Sequence, residues 1–278
     1  MRALAESVST KNRSYVHGYS ASVIDSHSHR TAENSAAYLL PFLRPGLTVL
    51  DLGCGAGTIT TGLAARVAPG RVAAIDIEPG VLEVARANAG RSGIDTIDFR
   101  IGDVYRLDLP DDSVDVAHAH QVLQHLDDPV AALRELARVV RPGGVIAVRD
   151  GDYGAFTWYP EHAGLTEWRD LYRAVARRSG GEPDAGRHLV AWAHAAGLTD
   201  LTATSSAWTY TRGDGAGWWA RTWSERVLSS AFAGHAVESG LATRADLERL
   251  SRAWLEWAGH PDAWFLVPHG EVLATVAT

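Results

Sequence analysis

Residues 49–58 read Val-Leu-Asp-Leu-Gly-Cys-Gly-Ala-Gly-Thr. The apolar run Leu47, Val49, Leu50 and Leu52 is cut short by Gly53, Gly55 and Gly57, and a helical period follows at once in Ile59, Leu63, Ala64 and Val67. The spacing predicts a strand, a tight glycine turn and a helix N-terminus. Glycine permits positive φ and lets a ligand approach the backbone with no Cβ in the way. The helix start offers unpaired N–H groups and the positive end of a dipole, which suit an anionic group.

Glycine spacing narrows the ligand. A dinucleotide turn wants G-x-G-x-x-G, but from Gly53 the third position is Thr58, and from Gly55 it is Thr60. A phosphate loop ending in G-K-[ST] is excluded, because Lys11 is the only lysine. What stands here is D-x-G-x-G-x-G, with Asp51 two residues before the first glycine. A carboxylate there repels a pyrophosphate and suits a ligand carrying an ammonium and a sulfonium.

The next strands carry acids at the same end. Arg71–Asp76 is a short apolar strand closing in a carboxylate 25 residues after Asp51. In a βαβ unit its end lies beside the end of the first strand. Asp76 is placed to accept both hydroxyls of a ribose, with Ile77 against a flat base. A third strand near Thr96–Ile101 leads to Gly102-Asp103-Val104, where Asp103 suits the exocyclic amine of a purine. A fourth, Val114–Ala119, ends in His118-Ala-His120-Gln121, and a fifth, Val145–Arg149, follows the Arg141-Pro-Gly-Gly144 turn. Alone, Asp76 reads equally as a helix cap and Asp103 as a solvated turn residue. Three acids at three successive strand ends favour a binding edge. Cys54 reads as a small buried filler.

VLDLGCGAGT, AAIDIE, FRIGDV, DVAHAHQVLQHL and the RPGG turn together resemble the class I S-adenosylmethionine-dependent methyltransferases, nearest the ubiquinone/menaquinone-biosynthesis-like branch; the likeness covers roughly residues 30–150. It implies S-adenosylmethionine as cofactor. Gly53, Gly55 and Gly57 would line its methionine part, and Asp51 would serve the ammonium. Asp76 would hold the ribose diol, Ile77 would lie on adenine, Asp103 and the Val104 backbone would read the adenine edge, and the His120 region would close over the methionine tail. The implied fold is α/β, a doubly wound, mostly parallel seven-stranded sheet of order 3-2-1-4-5-7-6 with the last strand antiparallel. It carries an N-terminal helical lid and a helical cap between the last two strands.

The chain has 278 residues, 46% of them hydrophobic, which suits one α/β domain with an insertion. One cysteine forms no internal bridge. No secretory h-region or membrane-length apolar run is seen, so a soluble cytoplasmic protein is expected. Net charge is −7 with no basic stretch, which argues against extended nucleic-acid binding. The arginine-for-lysine bias reads as a GC-rich, bacterial genome.

Residues 1–45 are read as the lid, with a helix over Thr31–Leu43 stopped by Pro45-Gly46. Tyr19 and Arg30 are its candidates for the methionine carboxylate. His27-Ser-His29 has no cysteine or acid cluster beside it, and no metal site is predicted. Residues 46–150 form the Rossmann-like cofactor core. In 151–278 lie all ten tryptophans. Residues 161–180 and 186–196 read as helices, Leu198–Thr211 and Ala263–Val276 as the antiparallel pair, and about 212–262 as a Trp-rich cap over the strand ends, where ligands bind in open α/β sheets. Trp218, Trp219 and Trp223 are candidates to line an acceptor pocket, with Tyr153 and His269. Trp254 and Trp257, at i, i+3, read as core. Exposed apolar cap surface favours a homodimer.

Methyl transfer from a sulfonium is an in-line displacement that needs alignment, exclusion of water and, for a protonated acceptor, a base. His125 is the first candidate base, followed by His120 and Asp150; packing and turn-capping roles stay open for His125 and Asp150. No acid pair follows the fourth strand and no N-P-P-[FYW] motif occurs. A divalent-metal mechanism and a DNA acceptor are therefore not expected. The reading is methylation of a small, partly apolar metabolite in specialised metabolism. The alternative is a binder of the same cofactor that does not methylate, either a cyclisation or elimination catalyst or a regulatory module.

Overall fold

The computed structural model describes residues 29–277. Among them eight strands form one sheet: β1 Thr48–Leu52, β2 Arg71–Asp76, β3 Ile97–Ile101, β4 Val114–His120, β5 Val140–Gly151, β6 Thr157–Tyr159, β7 Asp200–Thr211 and β8 Trp264–Thr275. Their order is β3-β2-β1-β4-β5-β8, with β7 pairing the other edge of β8. β1 to β5 are parallel, and β8 runs antiparallel to β5, β6 and β7. This is the expected topology with one addition. β8 is twelve residues long and outruns β5; the three residues of β6 cover the edge left over, Trp264–Leu266. An uncovered strand edge presents unpaired N–H and C=O groups.

Helices cover both faces. α2 (Thr58–Val67) buries Ile59, Leu63, Ala64 and Val67 against Val49, Val72 and Val116 of three strands. That 3.6-residue spacing is the reason the segment is a helix here, since each fully buried Leu or Val stabilises by about 1.5–3 kcal/mol. α3 (Pro79–Arg91) follows β2, and the side chain that caps it is Glu78, which accepts from the Gly80 N–H at 3.2 Å. Asp76 is thus not the cap. α4 (Pro129–Val139) precedes β5.

The expected N-terminal helix over Thr31–Leu43 is instead two pieces: α1, Ala32–Ser35, and a 3-10 turn, Leu40–Phe42. The break falls at Ala36, whose backbone leaves the helical region at φ −134° and ψ 18°, and Pro41 sits near the start of the second piece, where its missing N–H costs no helical hydrogen bond.

In the C-terminal half, α5 (Ala163–Arg178) and α6 (Leu189–Ala195) precede β7. α7 (Ala216–Ser229), α8 (Ala231–Glu238) and α9 (Arg244–Gly259) lie between β7 and β8. They pack on α5 through an aromatic core. Trp168 is fully buried and meets the rings of Trp223 at 4.4 Å and Trp254 at 4.6 Å, both edge-on. Among the described residues no helix is long and apolar enough to cross a membrane. Trp168→Ala empties this core and costs about 3–5 kcal/mol of stability, measured as a lower urea midpoint with an unchanged slope.

Candidate active site

The turn after β1 is set by three left-handed glycines, Gly53, Gly55 and Gly57, at φ 66°, 52° and 75°. Gly53 and Cys54 both donate to the Ile75 carbonyl, which ties the turn to β2. A Cβ on Gly53 would collide with Val122 Cγ2, and one on Gly57 would come within 2.9 Å of Ala85 Cβ. Gly53 and Gly55 line a cleft of about 370 Å³ at the carboxyl ends of the strands, whereas Gly57 does not; it lets α2 start against α3.

The three acids behave differently. Asp51 lines the floor of the cleft and is 3% exposed. Its Oδ2 accepts from Thr60 Oγ1 at 2.5 Å and its Oδ1 lies 2.8 Å from His118 Nδ1. Asp76 also lines the cleft; its Oδ2 accepts from the Gly55 N–H at 2.9 Å and its Oδ1 from Glu78 N–H at 3.1 Å. Burial outweighs those donors and raises its pKa above the usual carboxylate range. Ile77, next to it, is a half-exposed apolar wall. Asp103 is the correction: its Oδ1 turns back to the Tyr105 N–H at 3.0 Å, and it is not among the walls, while its neighbours Gly102 and Val104 are.

His120, His125, Gln121 and Arg30 close the cleft. Arg149, 1% exposed on β5, places a guanidinium N–H 3.4 Å from His120 Nδ1. Guanidinium only donates, so Nδ1 accepts and the ring proton sits on Nε2. Burial, and then the Arg149 charge, holds this imidazole neutral, well below the usual histidine range. Nε2 is buried and has no partner among the described residues. His120 is therefore held neutral beside the cleft and is not poised as a base. For His125, burial pushes the pKa down to about 3, and its Nε2 lies 2.9 Å from the Gln124 amide nitrogen, so it too is a poor base near neutrality.

The methyltransferase domain family matches residues 43–208. The chain belongs to the methyltransferases. An uncharacterised methyltransferase of Schizosaccharomyces pombe is 31% identical over 270 residues, covering 93% of this chain and 95% of the relative. The probable methyltransferase ltbC of Aspergillus luteorubrus is 30% identical over 298 residues, covering 95% and 98%. Both are fungal, so the arginine bias does not assign a bacterial source. The fold alone is shared with the YcgJ protein of Bacillus subtilis, at TM-score 0.58 and 18% identity over 91% of this chain and 99% of that one. The enzyme is a class I, S-adenosylmethionine-dependent methyltransferase. Its cleft suits that cofactor: bare glycine backbone, buried Asp51, the Asp76–Ile77 rim and His120 all line it, and the Asp76 carboxylate is held against the glycine turn by the Gly55 N–H.

A second cavity, of about 510 Å³, adjoins the first, and Arg30 and Gln121 line both. Its aromatic walls are Tyr153, Phe156, Trp208, Tyr210, Trp218 and Trp219. Trp223 is not one of them: it is fully buried in the aromatic core, because it faces α5 and α9. His269 is also behind the wall, 1% exposed, edge-on to Trp208 at 4.5 Å and within 2.9 Å of Gln121 Nε2. Tyr19 lies outside the described residues. Sequence reasoning missed Gln121, Trp208, Tyr210 and Arg226. Gln121 has φ 54°, a left-handed conformation costly for a side chain and commonest at functional sites. Among the described residues no cluster of three or more metal-ligating side chains occurs.

Asp150 lines neither cavity. It is fully buried, and its Oδ1 accepts from the Gln124 N–H at 3.1 Å, which pins the Leu123–His125 turn. Burial pushes its carboxyl up to about 7, offset in part by the backbone N–H groups of Gln124 and Leu123. A folded pKa above the unfolded one means the native state holds the proton more tightly, so stability is lost as pH rises through 7. The buried histidines act in the opposite sense, at lower pH. Asp150→Asn isolates the carboxyl: relative to wild type, its unfolding free energy rises by about 1–3 kcal/mol between pH 5 and 8, read by urea titration at each pH.

Proposed function

We propose that the enzyme methylates a small, partly apolar molecule held in the aromatic cavity, of the kind handled in specialised metabolism. The observation that carries this reading is the adjacency of the two cavities through Arg30 and Gln121. A methyl donor in one and an acceptor in the other meet at that junction. S-adenosylmethionine supplies, when bound, an electrophilic methyl group on a positively charged sulfur.

The chain's own residues bind, orient and exclude water. Asp76 accepts the ribose hydroxyls with its remaining lone pairs, and Ile77 and Val104 flank the base. Asp51, already aligned by Thr60 and His118, accepts from the ammonium directly or through water. Arg30, at the cleft wall, is the donor for a carboxylate. The aromatic walls keep water from the reacting atoms and offer π faces to a cation. A net charge of −7 and a cavity of this size favour a small acceptor over a nucleic acid.

Incubated with S-adenosylmethionine and a panel of small arenes, the enzyme yields a product heavier by one methylene, and demethylated cofactor accumulates with it in equal amount. Turnover without mass gain or cofactor use would support a non-methylating catalyst instead. Asp76→Ala weakens cofactor binding at least tenfold, about 1.4 kcal/mol, by calorimetry; unchanged affinity would remove the ribose role from this carboxylate.

A further inference from the structure

We infer that the side-chain carbonyl of Gln121 receives the positively polarised methyl group of S-adenosylmethionine, and that through this oxygen the enzyme tells the methylated cofactor from the spent one. This rests on the two-cavity reading above and adds the residue that faces the transferred group.

The backbone of Gln121 is held in place. It directly follows β4, and its N–H donates to the Arg149 carbonyl at 2.7 Å. Its φ of 54° is a conformation that few residues with a side chain adopt, and such positions cluster where a side chain must be aimed. The next residue, Val122, fills the space beside Gly53 with its Cγ2, so the segment is locked against the glycine turn.

The amide is oriented as well. Its Nε2 lies 2.9 Å from His269 Nε2. An amide nitrogen only donates, so the ring nitrogen accepts. Burial, and then the Arg149 charge, holds the His269 ring neutral, which leaves it one accepting nitrogen. His269 is 1% exposed and lines neither cavity, so the nitrogen end of the amide is turned to the protein interior. Oε1 is the opposite end. It has no hydrogen-bond partner among the described residues, and it is not buried. Gln121 lines both cavities, and this accessible oxygen is what it offers to them. Arg30, which also lines both, has only donors to offer.

A sulfonium draws electrons from its methyl group, whose C–H bonds then act as weak donors. A carbonyl oxygen with free lone pairs attracts that methyl, and its dipole attracts the charge behind it, more strongly where water is kept away. The spent thioether has neither the methyl nor the charge. The same oxygen therefore favours the reactant form of the cofactor over the product form.

The test is calorimetry on the whole protein, without acceptor. The ligands are S-adenosylmethionine, S-adenosylhomocysteine and sinefungin, which carries a protonated amine in place of the methylated sulfur. Gln121→Met keeps the chain length and removes the carbonyl. It weakens S-adenosylmethionine about threefold, as loss of one C–H···O contact implies. Sinefungin, a stronger donor, weakens about tenfold. S-adenosylhomocysteine stays within about twofold and reports an intact cleft. Gln121→Glu places a charged oxygen there and moves the ratio the other way, tightening the two cationic ligands against the thioether. Should either variant bind none of the three, the other decides by the same ratio. Equal weakening of all three by Gln121→Met, or an unchanged ratio in both variants, overturns the inference. Because no acceptor takes part, that result leaves the acceptor role of the aromatic cavity to the methylation assay.

Discussion

A carboxylate is buried in the middle of the sheet, and much else follows from satisfying it. Asp51 stands near the end of the central strand, and an unpaired charge there would cost several kcal/mol. Its two oxygens are met by Thr60, nine residues further on in α2, and by His118 on the adjacent strand β4. To bring Thr60 back over its own strand the chain must reverse between Leu52 and Thr58, and the three positive-φ glycines are how it does so. The reversal leaves bare backbone facing the cleft. β2 then adds Asp76, whose carboxylate grips the same turn through the Gly55 N–H. Cofactor cleft and central strand are one construction.

A second buried network joins that construction to the C-terminal half. Arg149 on β5 pairs with Glu271 on β8 at 3.2 Å and donates to Ser206 on β7 at 3.1 Å, while Ser206 and Thr204 also serve Glu271. Its guanidinium lies 5.0 Å from the centre of the Trp208 ring and reaches His120. Burying such a pair is weak evidence for stability. Its geometric effect is plain: one residue orients a donor of the cofactor cleft and a wall of the aromatic cavity. The two cavities are thereby held in register by strands that are far apart in sequence.

The residues that were legible from sequence share a property. Gly53, Gly55, Asp51, Asp76 and Ile77 belong to two consecutive βα units, and their places in the cleft follow from local spacing and one topological rule. Asp103 fails the same rule, because a turn residue is free to satisfy its own backbone and does so at Tyr105. The histidines failed for another reason. His120 and His125 lie at the expected strand end, but proton affinity depends on burial and on Arg149 and Arg30, which no local pattern discloses. Among the tryptophans, Trp219 and Trp223 lie four residues apart on one face of the same helix, and one turn along its axis is the difference between a ring that reaches the cavity wall and a ring enclosed in the aromatic core.

By itself the sequence determined the order of the seven principal strands, the glycine turn and the two acids, Asp51 and Asp76, that line the strand ends, because hydrophobic period and turn chemistry act over a few residues. Only the tertiary structure decided the aromatic cavity, the proton on His120 Nε2 and the burial of Asp150. Each of these needs groups from segments tens of residues apart, such as Gln121, Tyr153, Trp208 and Arg226, to meet where water is excluded. That meeting is set by packing and desolvation, which are properties of the assembled fold and leave no periodic trace in the chain.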